Sequence, residues 1–421
     1  MTRRRGTATR VALAALFAGA AILPAGVVAA APEGRTDAVR DAQYWLDEYG
    51  IRDAWAVTRG AGVTIAIIDT GIASGVADLA GAVADGADFS GIGSANGQRP
   101  VGSDESEHGT LVASLAAGRG TGAGSGVIGA APEATLLSAS IGFQEGTVDS
   151  DTQIAEAVIW AVDNGADVIN MSLTRNTLEW PESWDEAFLH AAENDVVVVV
   201  AAGNRGSGTV EVGAPATMPG VLTVAGVNRF GNASWNASSQ GITIGVAAPS
   251  EQLVGVLPNG EYVTWGGTSG ATPIVAGIVA LVRAAHPELD AVNVINRIVA
   301  TARDTGEPGA DFLYGFGLVD AAAAVSADVP VVTENPMGDL AEWVRVNRRA
   351  DAEPQPTVPQ DPDTTPPPVA AAPGNPIGVL LPSVTTLQLV GLPALVVGGL
   401  AFIGLGLAVG AVRHFRSSRT R

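Results

Sequence analysis

Three short segments carry, in chain order, an acid, a base and a nucleophile: Asp69-Thr70-Gly71, His108-Gly109-Thr110 and Gly267-Thr268-Ser269-Gly270-Ala271-Thr272-Pro273. A serine hydroxyl is a poor nucleophile until a base takes its proton. An imidazole does that work when a carboxylate holds its tautomer and stabilises the imidazolium. The three residue types together therefore point to acyl transfer through an activated serine. Taken alone, Ser269 has a plainer reading as the N-cap of the apolar stretch 271–285.

The segments that must position these groups have the pattern of a parallel α/β sheet. Residues 63–68 are a continuous apolar, β-branched run, as expected of a strand buried on both faces, and deliver Asp69 at its carboxyl end. His108 follows the polar loop 103–107 and opens a helical pattern of small and apolar residues over 109–117. Pro273 stands where a first helical turn tolerates it. A second buried run, 196–200, leads into Ala201-Ala202-Gly203-Asn204. Open α/β sheets present reactive groups at the carboxyl ends of such strands.

The order Asp, His, Ser and the motifs around it resemble those of the subtilisin-like serine proteases, the subtilases, from about residue 45 to 325. The resemblance implies a three-layer α/β fold with a mostly parallel buried sheet. It also implies an endopeptidase with Asp69, His108 and Ser269 as its triad, working through an acyl-enzyme. Asn204 matches the family asparagine whose amide, with the Ser269 N–H, stabilises the oxyanion. Residues 168–175 resemble the family strand that pairs with the substrate backbone, so Ser172, Leu173, Thr174 and Gly203 are the expected substrate-binding residues. Polypeptides, bound as an added strand, are the expected partners.

The chain departs from the family where glycine is usual, at Thr174 and Arg175, which implies a narrowed or partly blocked primary specificity pocket. It departs again at Gly270, where a larger residue commonly follows the serine. These departures leave open a scaffold that stabilises a secretion complex with proteolysis secondary, beside a general cell-surface protease.

Composition sets outer limits. At 421 residues the chain suits one large domain with attachments. The absence of cysteine excludes disulfides, thiolate zinc sites and a cysteine nucleophile. Every basic residue is arginine, and eight of the 23 lie in the first ten and last nine residues, which leaves the rest of the chain near −28 against −20 overall. Such a surface repels nucleic acid. His190 and His286 are expected at the surface or as capping groups, and His414 in a C-terminal tail. Asp104, Glu105 and Glu107 suit a hydrophilic loop as well as they suit raising the His108 pKa or binding calcium. No metal or cofactor is assigned, structural calcium being the open case.

The expected organisation is a signal peptide over 1–30, a short extension over 31–60, the peptidase domain over 61–330 and a proline-rich linker over 331–386. A transmembrane helix over 387–412 and a basic cytoplasmic tail over 413–421 complete it. The first assignment rests on a basic head, an apolar stretch and small residues before Pro32. The span has 26 uncharged residues, where about 20 helical residues cross a bilayer. The arginines after it place the tail in the cytoplasm and the domain outside, with the helix in contact with membrane lipid. About forty residues between leader and Asp69 leave no room for a separately folded prodomain, and residues 41–55 resemble the N-terminal segment that subtilases pack on the catalytic domain. This layout is similar to that of the mycosins, membrane-anchored proteases of actinobacterial type VII secretion, although those usually contain cysteines. It implies a type VII membrane complex as a further partner.

Overall fold

The computed structural model describes residues 23–24, 37–103, 106–143 and 145–348. The predicted leader other than Leu23–Pro24, the linker beyond 348, the span 387–412 and the tail lie outside the described residues.

Apolar, β-branched runs become the strands of the main sheet: β2 (Thr64–Asp69), β3 (Val83–Asp88), β4 (Thr135–Ser140), β5 (Val168–Met171), β6 (Val197–Ala201), β7 (Leu222–Val227) and β8 (Ile244–Pro249). All seven are parallel, in the spatial order β3-β4-β2-β5-β6-β7-β8. A smaller antiparallel sheet joins β1 (Leu23–Pro24), β10 (Tyr262–Trp265) and β9 (Leu253–Val256) in that order.

The main sheet grows from β2 in both directions, first to β4 and β3, then from β5 to β8. The crevice outside the carboxyl ends of β2 and β5 is therefore a topological switch point, where open α/β sheets bind ligands. Register sharpens this. Ile68 pairs with Met171 and Met171 with Val200, so Asp69, Ser172 and Ala201 come level with one another at the carboxyl ends of their strands.

Helices cover both faces and complete the three layers expected. On one side α4 (His108–Ala117) and α7 (Thr268–Ala285) pack together, and on the other α5 (Ser150–Asp163) packs against α6 (Ser183–Glu193). Among the described residues, α7 is the one helix long and apolar enough to cross a membrane, but its apolar window is 78% buried inside the domain. It is a core helix, which is what an 18-residue helix apolar on nearly every side becomes when sheet and helices surround it.

The N-terminal segment docks as expected. Its short helices α1 (Ala38–Asp41), α2 (Trp45–Glu48) and α3 (Ile51–Ala54) bury Trp45, Leu46 and Ile51 completely. Polar bonds then fix it to the chain between α4 and β4. Gln43 exchanges bonds with the Ile128 backbone at 2.7 and 3.0 Å, Trp55 Nε1 donates to the Ala130 carbonyl, and Asp37 accepts the Gly126 N–H. The buried Arg40 guanidinium donates to the carbonyls of Gly126 and Ser125 at 3.0 and 2.8 Å.

Beyond α8 (Ala291–Ala300) and α9 (Ala321–Ser326), residues 331–348, which the sequence suggests as the start of the linker, continue on the domain surface. Their helix α10 (Leu340–Asn347) sets Trp343 on Trp180 at 4.4 Å between ring centroids, and Arg348 Nε donates to Asp185 at 2.8 Å.

Removing Arg40 would leave the buried Gly126 carbonyl and the half-buried Ser125 carbonyl without their donor and take away a charge that lies near Asp37 and Asp78. Arg40→Ala is expected to lower unfolding stability by about 1–3 kcal/mol, the scale for leaving a buried acceptor without its donor. Denaturant unfolding of the variant beside wild type checks this, and a loss below about 0.5 kcal/mol would contradict it.

Candidate active site

Asp69 ends β2 with no solvent exposure. Its Oδ1 accepts the Thr70 N–H at 2.7 Å, and both carboxylate oxygens lie on His108 Nδ1, at 2.8 and 2.9 Å. A carboxylate here only accepts, so Nδ1 carries the proton and Nε2 holds the lone pair that a base needs. The ring meets Trp265 edge to face, 5.9 Å between centroids, which favours its present plane.

The two segments are stitched together by their threonines. Glu107 makes no side-chain cap for α4; instead Thr70 Oγ1 accepts the Gly109 N–H at 2.9 Å and donates to the Ser106 carbonyl at 2.8 Å. Thr110 Oγ1 accepts the Ala73 N–H in return. A Cβ on Gly109 would stand 2.5 Å from the Gly71 carbonyl oxygen, so only glycine lets the two turns approach this closely.

Ser269 is the second residue of α7 and half-buried. Its hydroxyl donates to the Ser172 carbonyl at 3.3 Å. Hydroxyl bonds of this kind are usually about 2.7–2.8 Å long, so this one is easily surrendered. Ser172 Oγ donates back to the Ser269 carbonyl at 2.9 Å and itself accepts Asn170 Nδ2 at 3.1 Å. The backbone of the serine is thus held by a polar chain running out of β5. The Ser269 N–H belongs to the first turn of α7, where amides lack intrahelical acceptors and face outward as anion donors.

Asn204 follows β6. Its Oδ1 accepts the Thr268 N–H at 2.8 Å and the Thr268 hydroxyl at 3.1 Å. These two bonds fix the amide's orientation and leave Nδ2 free to donate to a substrate oxygen. Gly267, at φ +129°, is the hinge that lets α7 start under this amide, and a Cβ there would come 3.2 Å from Nδ2. Glycine alone adopts such a φ without strain. Gly203 donates to Thr268 Oγ1 at 3.2 Å. Leu173 is buried, and Thr174 lies against Gly203.

Two of the departures have packing causes. A Cβ on Gly270 would stand 2.4 Å from Leu253 Cδ1, so this chain has filled with a leucine the space a larger residue would take. Arg175 points away from the site: Nη1 meets Asp151 of α5 at 2.5 Å and the guanidinium lies 5.5 Å from the Trp184 ring centre.

The remaining candidates stand apart. His190 is on the surface of α6 with Asp163, and His286 at the end of α7 meets the Val325 carbonyl at 2.6 Å. Asp104, Glu105 and His414 lie outside the described residues. Glu107 serves through its carbonyl, which accepts the Thr110 and Leu111 N–H groups. Among the described residues no three His, Asp or Glu side chains group as metal ligands.

Asn170, Thr70 and Trp265 are the site residues that sequence reading passed over. Asn170 had a signal, being an amide in the middle of a fully buried strand. Thr70 lay within a motif already singled out, while Trp265 had no local signal, since only the fold brings it to His108.

Comparison with known proteins agrees with this geometry. Residues 60–317 match the model of the Subtilase family, Peptidase_S8. Subtilisin DY of Bacillus licheniformis is 36% identical over 270 residues, 63% of this chain and 92% of that protein. Mycosin-1 of Mycobacterium tuberculosis is 34% identical over 340 residues, 68% of this chain and 74% of its own. A solved structure described as MycP1 from the ESX-1 type VII secretion system superposes with a TM-score of 0.61 at 29% identity, covering 76% of this chain and 93% of the other. With the family model matched over more than half of its length, the chain belongs to the subtilase family and is a serine-type endopeptidase.

Proposed function

We propose that Asp69, His108 and Ser269 are the triad of a membrane-anchored, extracytoplasmic endopeptidase, with Asn204 as a donor to the oxyanion. The observation that carries the site is the pairing of a fully buried Asp69 with His108 Nδ1 at hydrogen-bond distance from both carboxylate oxygens. His108 Nε2 takes the Ser269 proton as Oγ attacks the peptide carbonyl carbon. Asp69 stabilises the imidazolium so formed. The developing oxyanion is met by Asn204 Nδ2 and the Ser269 N–H. His108 then gives its proton to the leaving amine, and a water activated by the same nitrogen hydrolyses the acyl-enzyme. The substrate backbone lies along Ser172–Thr174 as an added strand.

The anchoring rests on the uncharged stretch 387–412 and the arginine tail that follows it, and the extracytoplasmic side on the positive-inside rule. Likeness to Mycosin-1 and to a protease described as part of a type VII secretion system supports substrates or components of such a system as its targets. Two of the three departures lend no weight to a scaffold, since those at Gly270 and Arg175 are absorbed by Leu253 and by Asp151 with Trp184.

A fluorophosphonate probe is expected to label the full-length protein and not its Ser269→Ala variant, which should lose about 10⁶ in kcat, a figure carried over from a subtilisin. Labelling that survives the substitution would remove Ser269 from the mechanism. Asn204→Ala should keep the label but lower kcat by about 10²–10³ with KM little changed, again on the subtilisin scale. A rise in KM with kcat unchanged would assign Asn204 to substrate binding instead.

Topology has a direct test because the chain has no cysteine of its own. In intact bacterial cells, Thr357→Cys is expected to react with a membrane-impermeant maleimide, and Ser418→Cys only after lysis. Equal reaction of both in intact cells would rule out a cytoplasmic tail.

A further inference from the structure

A peptide held with its scissile carbon over Ser269 Oγ and its oxygen toward Asn204 must send one side chain between the two backbone segments flanking the serine. This is the side chain of the residue just before the cut. The segments are 172–174 after β5 and 202–203 after β6. A Cβ placed on Gly203 would stand 2.7 Å from Thr209 Cγ2 and 3.2 Å from Thr174 Cγ2. One placed on Gly213 would stand 3.1 Å from Thr174 Oγ1 and 1.7 Å from the Arg175 carbonyl oxygen. The Thr174 side chain thus fills the gap that two glycines open.

This wall is rigid. Arg175 N–H donates to the Ala214 carbonyl at 2.8 Å, Ala214 N–H to the Thr177 carbonyl at 2.9 Å, and Thr174 Oγ1 to the Arg175 carbonyl at 3.3 Å. Thr209, buried and bonded to Asn176 through its hydroxyl, stands with Thr174 over Gly203. Space does exist nearby: a cavity of about 270 Å³ is lined by Asn176, Thr177, Leu178, Thr209 and Val210. Thr209 stands between it and Gly203, touching the glycine and lining the cavity. The Arg175 side chain plays no part, because Asp151 and Trp184 hold it outside.

We propose that Thr174, with Thr209, closes the primary specificity crevice, so that this enzyme cuts after alanine, serine or glycine and rejects leucine, phenylalanine and tyrosine at that position. The proposal rests on the triad and oxyanion assignment above. Discrimination by an apolar pocket against one surplus methylene is about 10–200-fold, and an aromatic ring exceeds that surplus.

The test uses the full-length protein and peptides that differ only in the residue before the cut, with fluorophosphonate labelling run in parallel. Wild type is expected to favour alanine over phenylalanine in kcat/KM by at least about tenfold. Thr174→Gly should shift that ratio toward phenylalanine by about tenfold or more, and Thr174→Ser, which keeps the hydroxyl and loses the methyl, by a smaller factor. The wild-type profile and the serine variant decide the matter if the glycine variant does not fold. A labelled wild type that cuts after phenylalanine as fast as after alanine overturns the proposal and leaves the triad standing. Labelled variants with an unmoved ratio remove Thr174 from specificity. A folded wild type that takes no label and cuts no peptide overturns the triad, and this proposal with it.

Discussion

A carboxylate with no exposure to water is tolerable only when its charge is answered by donors at short range, and Asp69 is such a group. Its answers are one amide, from Thr70, and one imidazole, from His108. The first comes with the chain. The second must be brought across 39 residues and held there, and most of the local architecture serves that end. The backbone contact between Gly71 and Gly109 sets the distance, the two threonines set the angle, and Trp265 favours the ring plane. The cost of leaving Asp69 unpaired thus becomes a force that keeps a catalytic base in one tautomer.

The same coupling reaches the N-terminal segment. The helix that carries His108 ends at Ala117, and the chain leading from it to β4 is the chain that Arg40, Gln43 and Trp55 grip. On the opposite side, α7 packs against α4 and begins with the Thr268 that orients Asn204. The proposed base, nucleophile and oxyanion donor therefore sit at the starts of helices or ends of strands whose other ends are buried. Geometry held this way costs no reorganisation when charge develops in the reaction.

The residues proposed for the reacting centre could be singled out in the sequence because each lies where a buried strand or an apolar helix begins or stops. Buried parallel strands leave unbroken β-branched runs, such as 63–68 and 196–200. The three layers followed from the family resemblance that the motifs carry. What was not legible depends on contacts between distant segments. The stacking of Trp343 on Trp180 carries the folded chain to residue 348, and nothing in the composition of 331–348 announces it. The direction of Arg175 was hidden for the same reason, since its partners Asp151 and Trp184 lie on two other helices. Gly270 read as an anomaly until Leu253, the first residue of β9, was seen to occupy its space.

Chemistry and selectivity are carried by different parts of this fold. Asp69, Ser172 and Ala201 stand in strict register at the carboxyl ends of their strands, so a change that moved one would have to move a seven-stranded ladder. The crevice wall, in contrast, is made by two loops, 174–177 and 209–214, bonded to each other by two backbone hydrogen bonds, the second loop also being held by Asn204 and Gln240. A side chain there can be exchanged against a glycine across the gap without disturbing the triad, since neither Thr174 nor Gly213 touches His108 or Asp69 in any bond that orients them. A subtilase that needs a different substrate has little reason to alter its strand ends. It can alter the volume between two loops, and in this chain Thr174 takes that volume between Gly203 and Gly213.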